Sequence, residues 1–181
     1  MKNILAYLLI ASSLALTCCG QGDKKTSSDP VAKDTIPAAR PIPIKPIGWV
    51  SDFDMLFTPG QVKSLDSMIA VHEKETTNQV AVVTYQPDSL QLEQAGGFEK
   101  FALSLFKQWG VGTKEKNNGI GILISKNLRK IRIETGFGLE SKLTDEEAQQ
   151  IIDSIITPEF KKGDYYTGVL KGLQSIFTEI K

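Results

Sequence analysis

The sequence predicts an α/β fold: a three-layer α/β/α sandwich in which a small mixed sheet, with an antiparallel edge hairpin, carries helices on both faces. Three observations predict it. Gln79 to Tyr85 is short and apolar on both parities, the pattern of a strand covered on two sides, and Gly119 to Ser125 is again a short apolar strand. Stretches with apolar residues every three or four positions separate and follow them, the pattern of helices with one buried face. Lys130 to Glu134 alternates Ile131 and Ile133 with Arg132 and Glu134 directly after a polar turn at Lys126-Asn127, the mark of a hairpin.

The chain opens with an export signal. Lys2 is its positive end and Ile4 to Leu16 its apolar stretch, too short to span a bilayer. Leu16-Thr17-Cys18-Cys19-Gly20 then resembles the lipobox of bacterial lipoproteins, with Cys19 in the register of the lipidated residue. Cys18 stands where that motif usually has Gly, Ala or Ser. The organisation read from this is a signal peptide over residues 1–18, a lipid-anchored tether over 19–48 and a domain over 49–181. Five of the eight prolines fall in the tether among Lys, Asp, Ser and Thr, a composition that buries too little apolar surface to offset its ordering entropy. A semi-rigid extended spacer is expected there.

Within the domain, Thr58, Pro59 and Gln61 announce the first helix as a capping box with proline at its first position, and Val62, Leu65 and Ile69 form its buried stripe. The first strand, Gln79 to Tyr85, ends at Pro87. Phe98, Phe101, Ala102, Leu105, Phe106 and Trp109 share one face of the second helix, which Gly110 and Gly112 stop. The strand Gly119 to Ser125 and the hairpin strand follow. Thr144 caps the third helix with Glu147 reaching back, Leu143 and Ala148 form a staple, and Ile151, Ile152, Ile155 and Ile156 face the core. The last helix follows Gly163-Asp164, with Asp164 as its cap and Tyr166, Val169, Leu170, Leu173, Ile176, Phe177 and Ile180 on its buried side. The crossover between the first two strands makes them parallel.

The segments Trp49-Val50-Ser51-Asp52-Phe53, Trp109-Gly110-Val111-Gly112, Asn117 to Ile124, Glu134-Thr135-Gly136-Phe137-Gly138-Leu139-Glu140, Pro158-Glu159-Phe160 and Gly163-Asp164-Tyr165 are together similar to the TPM domain, in order over Trp49 to Lys181. That family takes its name from a thylakoid lumen phosphatase, a photosystem II repair protein and a nematode receptor modulator. The resemblance implies a three-layer sandwich and an extracytoplasmic module serving membrane-protein complexes, with acid phosphatase activity in some members and calcium binding in others. Asp54 stands where the family usually has a small residue.

A hairpin turning at Asn127-Leu128 brings Asn117 to Gly119 beside Glu134 to Gly136, and the loop after it carries Glu140 to the same edge. Asp52, ahead of the first helix, is read as reaching that edge too. Asp52, Asn117, Asn118, Glu134 and Glu140 are therefore the expected oxygen ligands of a metal, calcium foremost, or the lining of a small-anion site, with the backbone at Gly136 and Gly138 open to close approach. Asn118-Gly119 also reads as a plain turn, Glu134 as an outward partner of Arg132, and the two glycines as backbone hinges.

The composition closes other classes. The mature domain has no cysteine, hence no disulfide, thiolate metal site or cysteine nucleophile. His72, the single histidine, lies among Glu73, Lys74 and Glu75 and reads as part of a solvated face. There is no histidine pair for zinc and no Ser-His-Asp set. Asp52-Phe53-Asp54 lacks the buried strand and threonine of aspartyl-phosphate phosphatases. Loss of Lys2 on cleavage leaves a formal charge close to minus one, without the basic excess of a nucleic-acid binder.

The reading is a non-enzymatic, lipid-anchored, cation-binding accessory module outside the cytoplasm. Its partners are the membrane, through the lipid, and an envelope membrane-protein complex. A metal-dependent acid phosphatase and a passive spacer are the two alternatives.

Overall fold

The computed structural model describes residues 42–181. The expected export signal, Cys19 and most of the expected tether lie outside the described residues. The sheet has four strands in the order β1 (Val50–Asp52), β2 (Gln79–Thr84), β3 (Gly119–Ser125), β4 (Lys130–Thr135). The first three are parallel and β4 runs antiparallel at the edge. Helix α1 (Pro59–Thr76) links β1 to β2, and α2 (Ser89–Ala95) and α3 (Phe98–Trp109) link β2 to β3. After β4 come α4 (Asp145–Ile151), a π-helical turn (Ile152–Ile156), α5 (Thr157–Lys161) and α6 (Tyr165–Glu179).

Strand parity sorts the core into two layers. Val80, Val82, Ile120, Ile122 and Ile124 face α1 and the helices after β4, where Leu65, Ile69, Ile156, Leu173 and Ile176 meet them. Ala81, Val83 and Leu123 face the other way, onto Phe98, Phe101, Leu105 and Phe106 of α3. Burying each such large side chain contributes roughly 1.5–3 kcal/mol, so the apolar double parity of β2 and β3 makes the two-sided cover obligatory. At Gly121 an added Cβ would land on the Phe106 ring. Only glycine lets α3 lie this close to the central strand. The predicted three-layer sandwich is thus the fold.

Local signals resolve as hydrogen bonds. Thr58 Oγ1 accepts from Gln61 N at 3.3 Å and Gln61 Oε1 from Thr58 N at 2.8 Å. Thr144 and Glu147 repeat the box at 3.2 and 2.8 Å. Asp164 caps α6 by accepting from Thr167 N at 2.9 Å. Gly110 ends α3 at φ +68°, in the left-handed region that glycine enters without strain. The hairpin turn spans Lys126 to Arg129, closed by Arg129 N donating to Lys126 O at 3.1 Å.

Four features depart from the sequence reading. Val50–Asp52 is a strand, paired with Val82–Thr84. A short helix, α2, stands on its own capping box of Asp88 and Gln91. The predicted third helix widens at Ile152–Ile156, where the N–H of Thr157 donates to Ile152 O. Pro158 follows at once and has no N–H to continue an α-helical ladder, which is a local reason for the wide turn. Lastly, the end of the expected spacer binds the domain: Gln108 exchanges two 2.8 Å hydrogen bonds with the backbone of Ile42, and Trp109 Nε1 donates to Ile44 O at 3.1 Å.

His72 is a correction. It is 5 % exposed and stacks on Phe177 with ring centroids 3.9 Å apart, seven positions after Leu65 on the buried stripe of α1. Its Nε2 has no hydrogen-bond partner among the described residues. Burial holds its pKa below the ordinary 6.5, with Glu75 opposing and Lys181 reinforcing. The unfolded chain therefore takes up the proton first as pH falls, so stability is intact above about pH 6.5 and declines below it. Urea unfolding from pH 8 to pH 5 is expected to show this decline in the wild type, and a flatter profile over the same interval in His72→Gln.

Candidate functional site

Antiparallel pairing of β3 with β4 puts the start of one beside the end of the other. Ile120 pairs with Thr135, and Gly136 N donates to Gly119 O at 2.8 Å. The two flanking loops then cross. Gly138 N donates to Asn117 O at 3.0 Å and Leu139 N to Gly136 O at 2.8 Å. A Cβ at Gly136 would overlap the Asn117 carbonyl, and one at Gly138 the Lys116 carbonyl. These glycines serve the crossing of two backbones, and Asn117 itself sits at φ +49°.

Beside the crossing lies a cleft of about 490 Å³, walled by Phe106 and Val111 and bordered by Lys107, Lys114, Glu134 and Glu140. Asn117, Gly136 and Phe137 also line it. Of the residues the sequence nominated, Asn117, Glu134, Gly136 and Glu140 therefore meet in one place. Their chemistry is mixed: Glu134 Oε1 accepts from Arg132 Nε at 2.7 Å, and two lysines share the cleft with the two glutamates. Among the described residues no three His, Cys, Asp or Glu side chains converge as a metal cluster.

Asn118 is spent on structure. Buried at 4 % exposure, it donates through Nδ2 to Thr77 O at 2.7 Å and accepts through Oδ1 from Thr113 N at 3.0 Å. It ties the α1–β2 loop to the α3–β3 loop and does not line the cleft.

Asp52 lies at the opposite end of the sheet, which corrects the expectation that it joins this edge. Because β1 runs parallel to β2, its last residue pairs with Thr84, the last of β2. Both carboxylate oxygens work as a clamp: Oδ1 accepts from Leu56 N at 2.9 Å and Thr84 Oγ1 at 2.5 Å, and Oδ2 from Phe57 N at 2.9 Å. The β1–α1 turn is folded around this group. Asp54 N donates to Thr84 Oγ1 at 3.1 Å, so a second carboxylate follows closely. Burial, then the Asp52 charge, raises the Asp54 pKa above its usual value, with Lys126 opposing.

Sequence reasoning missed the exposed apolar groups here. Phe137 is 80 % exposed between two loop-fixing glycines, and Leu103 of α3 is 40 % exposed on the same cleft. The signal was the Gly-Phe-Gly spacing, read for its glycines alone.

The family model of the TPM domain matches residues 50–179, the full span from β1 through α6. The chain belongs to the TPM-domain family. Among solved structures, this TPM domain is similar to the N-terminal domain of a protein from P. gingivalis, with 29 % identity, TM-score 0.64, and coverage of 73 % of this chain and 81 % of that one. It also resembles the BA42 protein of the psychrophilic bacterium Bizionia argentinensis, at 16 % identity and TM-score 0.58 over 71 % of this chain and 83 % of that one. The N-terminal domain of the cg2496 protein from Corynebacterium glutamicum matches at 14 % identity and TM-score 0.55, over 78 % and 85 %. The last two likenesses speak to the fold alone. No curated protein matches the chain.

The clamp and the cleft predict opposite mutational behaviour. Asp52→Ala removes three hydrogen bonds to a charged acceptor and is expected to cost about 3 kcal/mol in urea unfolding. Glu140→Gln, at an exposed position, is expected to stay within about 0.5 kcal/mol of wild type.

Proposed function

We propose that this TPM domain is a non-enzymatic interaction module, held to an envelope membrane by lipid on Cys19, which docks on a membrane-protein partner through the cleft beside Phe137. One observation carries the reading. An aromatic side chain that is 80 % exposed stands on a loop fixed by backbone hydrogen bonds, next to an apolar-walled cleft with charges of both signs on its border. A rigid aromatic anchor costs little entropy to bury, and such residues dominate binding energy at protein interfaces. Mixed charge around an apolar floor suits a protein surface better than a bare cation.

Affinity capture from membranes, with the anchored protein as bait, is expected to recover a defined partner with the wild type. Phe137→Ala should retain at most about a tenth of it, the loss of a typical hot spot. Equal recovery by the variant would remove Phe137 from the interface. Cys19→Ser is expected to move the protein from the membrane to the soluble fraction.

A second reading keeps calcium but moves it to the other end of the sheet. Its support is the closeness of Asp54 to Asp52 and the upward pKa shift that burial and the Asp52 charge impose on Asp54, a cost that a bound cation relieves. Two carboxylates with water describe a weak, hydrated site. Calorimetric titration with calcium should give millimolar-range binding in the wild type and none in Asp54→Asn.

A further inference from the structure

At the same end of the sheet as Asp52, between the β3–β4 turn and the helices α5 and α6, runs a groove of about 680 Å³. Lys126, Arg129, Lys130 and Lys161 line it, and no Asp or Glu does. In a chain with equal numbers of acidic and basic residues this is a local excess of positive charge. Ion pairing does not cancel it. Lys130 reaches Glu99 at 3.4 Å, whereas Lys126, Arg129 and Lys161 form no salt bridge among the described residues. Glu159, the nearest acid in sequence to Lys161, is taken by Lys162 at 2.9 Å and Lys171 at 2.6 Å. Asp54 feels the Lys126 charge, without a salt bridge between them among the described residues.

The groove also has a shaped wall. Phe160 and Tyr165 pack with ring centroids 4.8 Å apart, and Lys126 Nζ lies 5.4 Å from the centre of the Tyr165 ring. That contact holds the ammonium over the groove's aromatic side. The short turn closed between Arg129 and Lys126 fixes the direction of the arginine backbone at φ +52°. Moreover, the groove opens at the carboxyl ends of the parallel strands, the edge at which open α/β sheets bind their ligands.

We infer that this groove binds a phosphate-type anion, its oxygens held by Lys126, Arg129 and Lys161 and its body resting on Phe160 and Tyr165. Guanidinium and ammonium groups meet phosphate oxygens through charge-assisted hydrogen bonds. The aromatic pair gives the apolar remainder of the ligand a surface. The phosphate is carried either by a soluble molecule or by an anionic lipid headgroup, which present the same chemistry to these three cations. The inference does not depend on the Phe137 cleft or on a cation at Asp54.

The test uses the mature chain, residues 19–181, carrying Cys19→Ser, so that neither an acyl chain nor the apolar leader drives vesicle binding. One arm titrates inorganic phosphate and follows amide resonances. The other measures sedimentation with phosphatidylglycerol vesicles against phosphatidylcholine vesicles. Saturable shifts confined to the β3–β4 turn and the α5–α6 junction are expected with phosphate if the source is soluble, and selective phosphatidylglycerol binding if it is a headgroup. In the responding arm, Lys126→Gln/Lys161→Gln should weaken binding about tenfold or more. Lys63→Gln/Lys74→Gln, the same charge change on exposed α1 positions, should change it less than about twofold. A response in neither arm, or one that persists in the groove variant or falls equally in the control, overturns the inference.

Discussion

β3 is buried along all seven of its residues, and the rest of the molecule is arranged by that burial. A strand with no exposed face must be covered by helices on both sides. Here α3 achieves this by pressing Phe106 onto the space left at Gly121. Its neighbours run in opposite senses, β2 with it and β4 against it. Strand direction then decides which loops share an end. The start of β3 gathers with the end of β4 and the C-terminus of α3, and the end of β3 gathers with Asp52, Thr84 and the hairpin turn. The two ends carry different chemistry: an apolar cleft with an exposed aromatic at one, and charged groups clustered by sign at the other.

Much of what makes the chain resemble its family turns out to hold backbone. Asp52 folds the β1–α1 turn through three hydrogen bonds, Asn118 ties two loops across 41 positions of sequence, and Gly136 and Gly138 let two loops cross. Side chains engaged in this way have little left for a ligand, because most bonds to an outside group would replace one that the fold needs; the Asp52 carboxylate, with three bonds accepted, keeps one lone-pair direction open. The groups whose side chains make no hydrogen bond or salt bridge among the described residues are others: Phe137, Glu140, Lys107 and Lys114 around the cleft, and Asp54 and Lys126 near the clamp. A motif can thus mark where a site is without naming its contacting residues.

The legible parts of the sequence were those with a local cause. Capping boxes at Thr58 and Thr144, the stop at Gly110 and the turn after Ser125 need only a few neighbouring residues to form. The apolar double parity of β2, with β3 a second short apolar run, announced a covered sheet. What escaped had a cause elsewhere in the chain. Val50–Asp52 is too short to show a period, and it is a strand only because β2 offers it partners; missing it put Asp52 at the wrong end. His72 looked solvated beside Glu73, Lys74 and Glu75, yet its spacing from Leu65 and Ile69 keeps it on the inner face, where Phe177 receives it. There helical register outweighed the polarity of immediate neighbours. The box at Asp88 and Gln91 was present in the sequence but attached to a helix too short to show a stripe.

The wide turn at Ile152–Ile156 keeps Ile151, Ile152 and Ile156 inside while the chain passes on to a proline. Such a turn accommodates one residue more than a regular α-helical turn. Removing that surplus would advance everything after it by about 100° around the axis, the rotation of one residue. Helix phase, and not length alone, is therefore what this stretch stores. Between relatives that differ in it, residues equal in number from the helix start will not be equal in orientation, so their correspondence has to be drawn with a one-position gap.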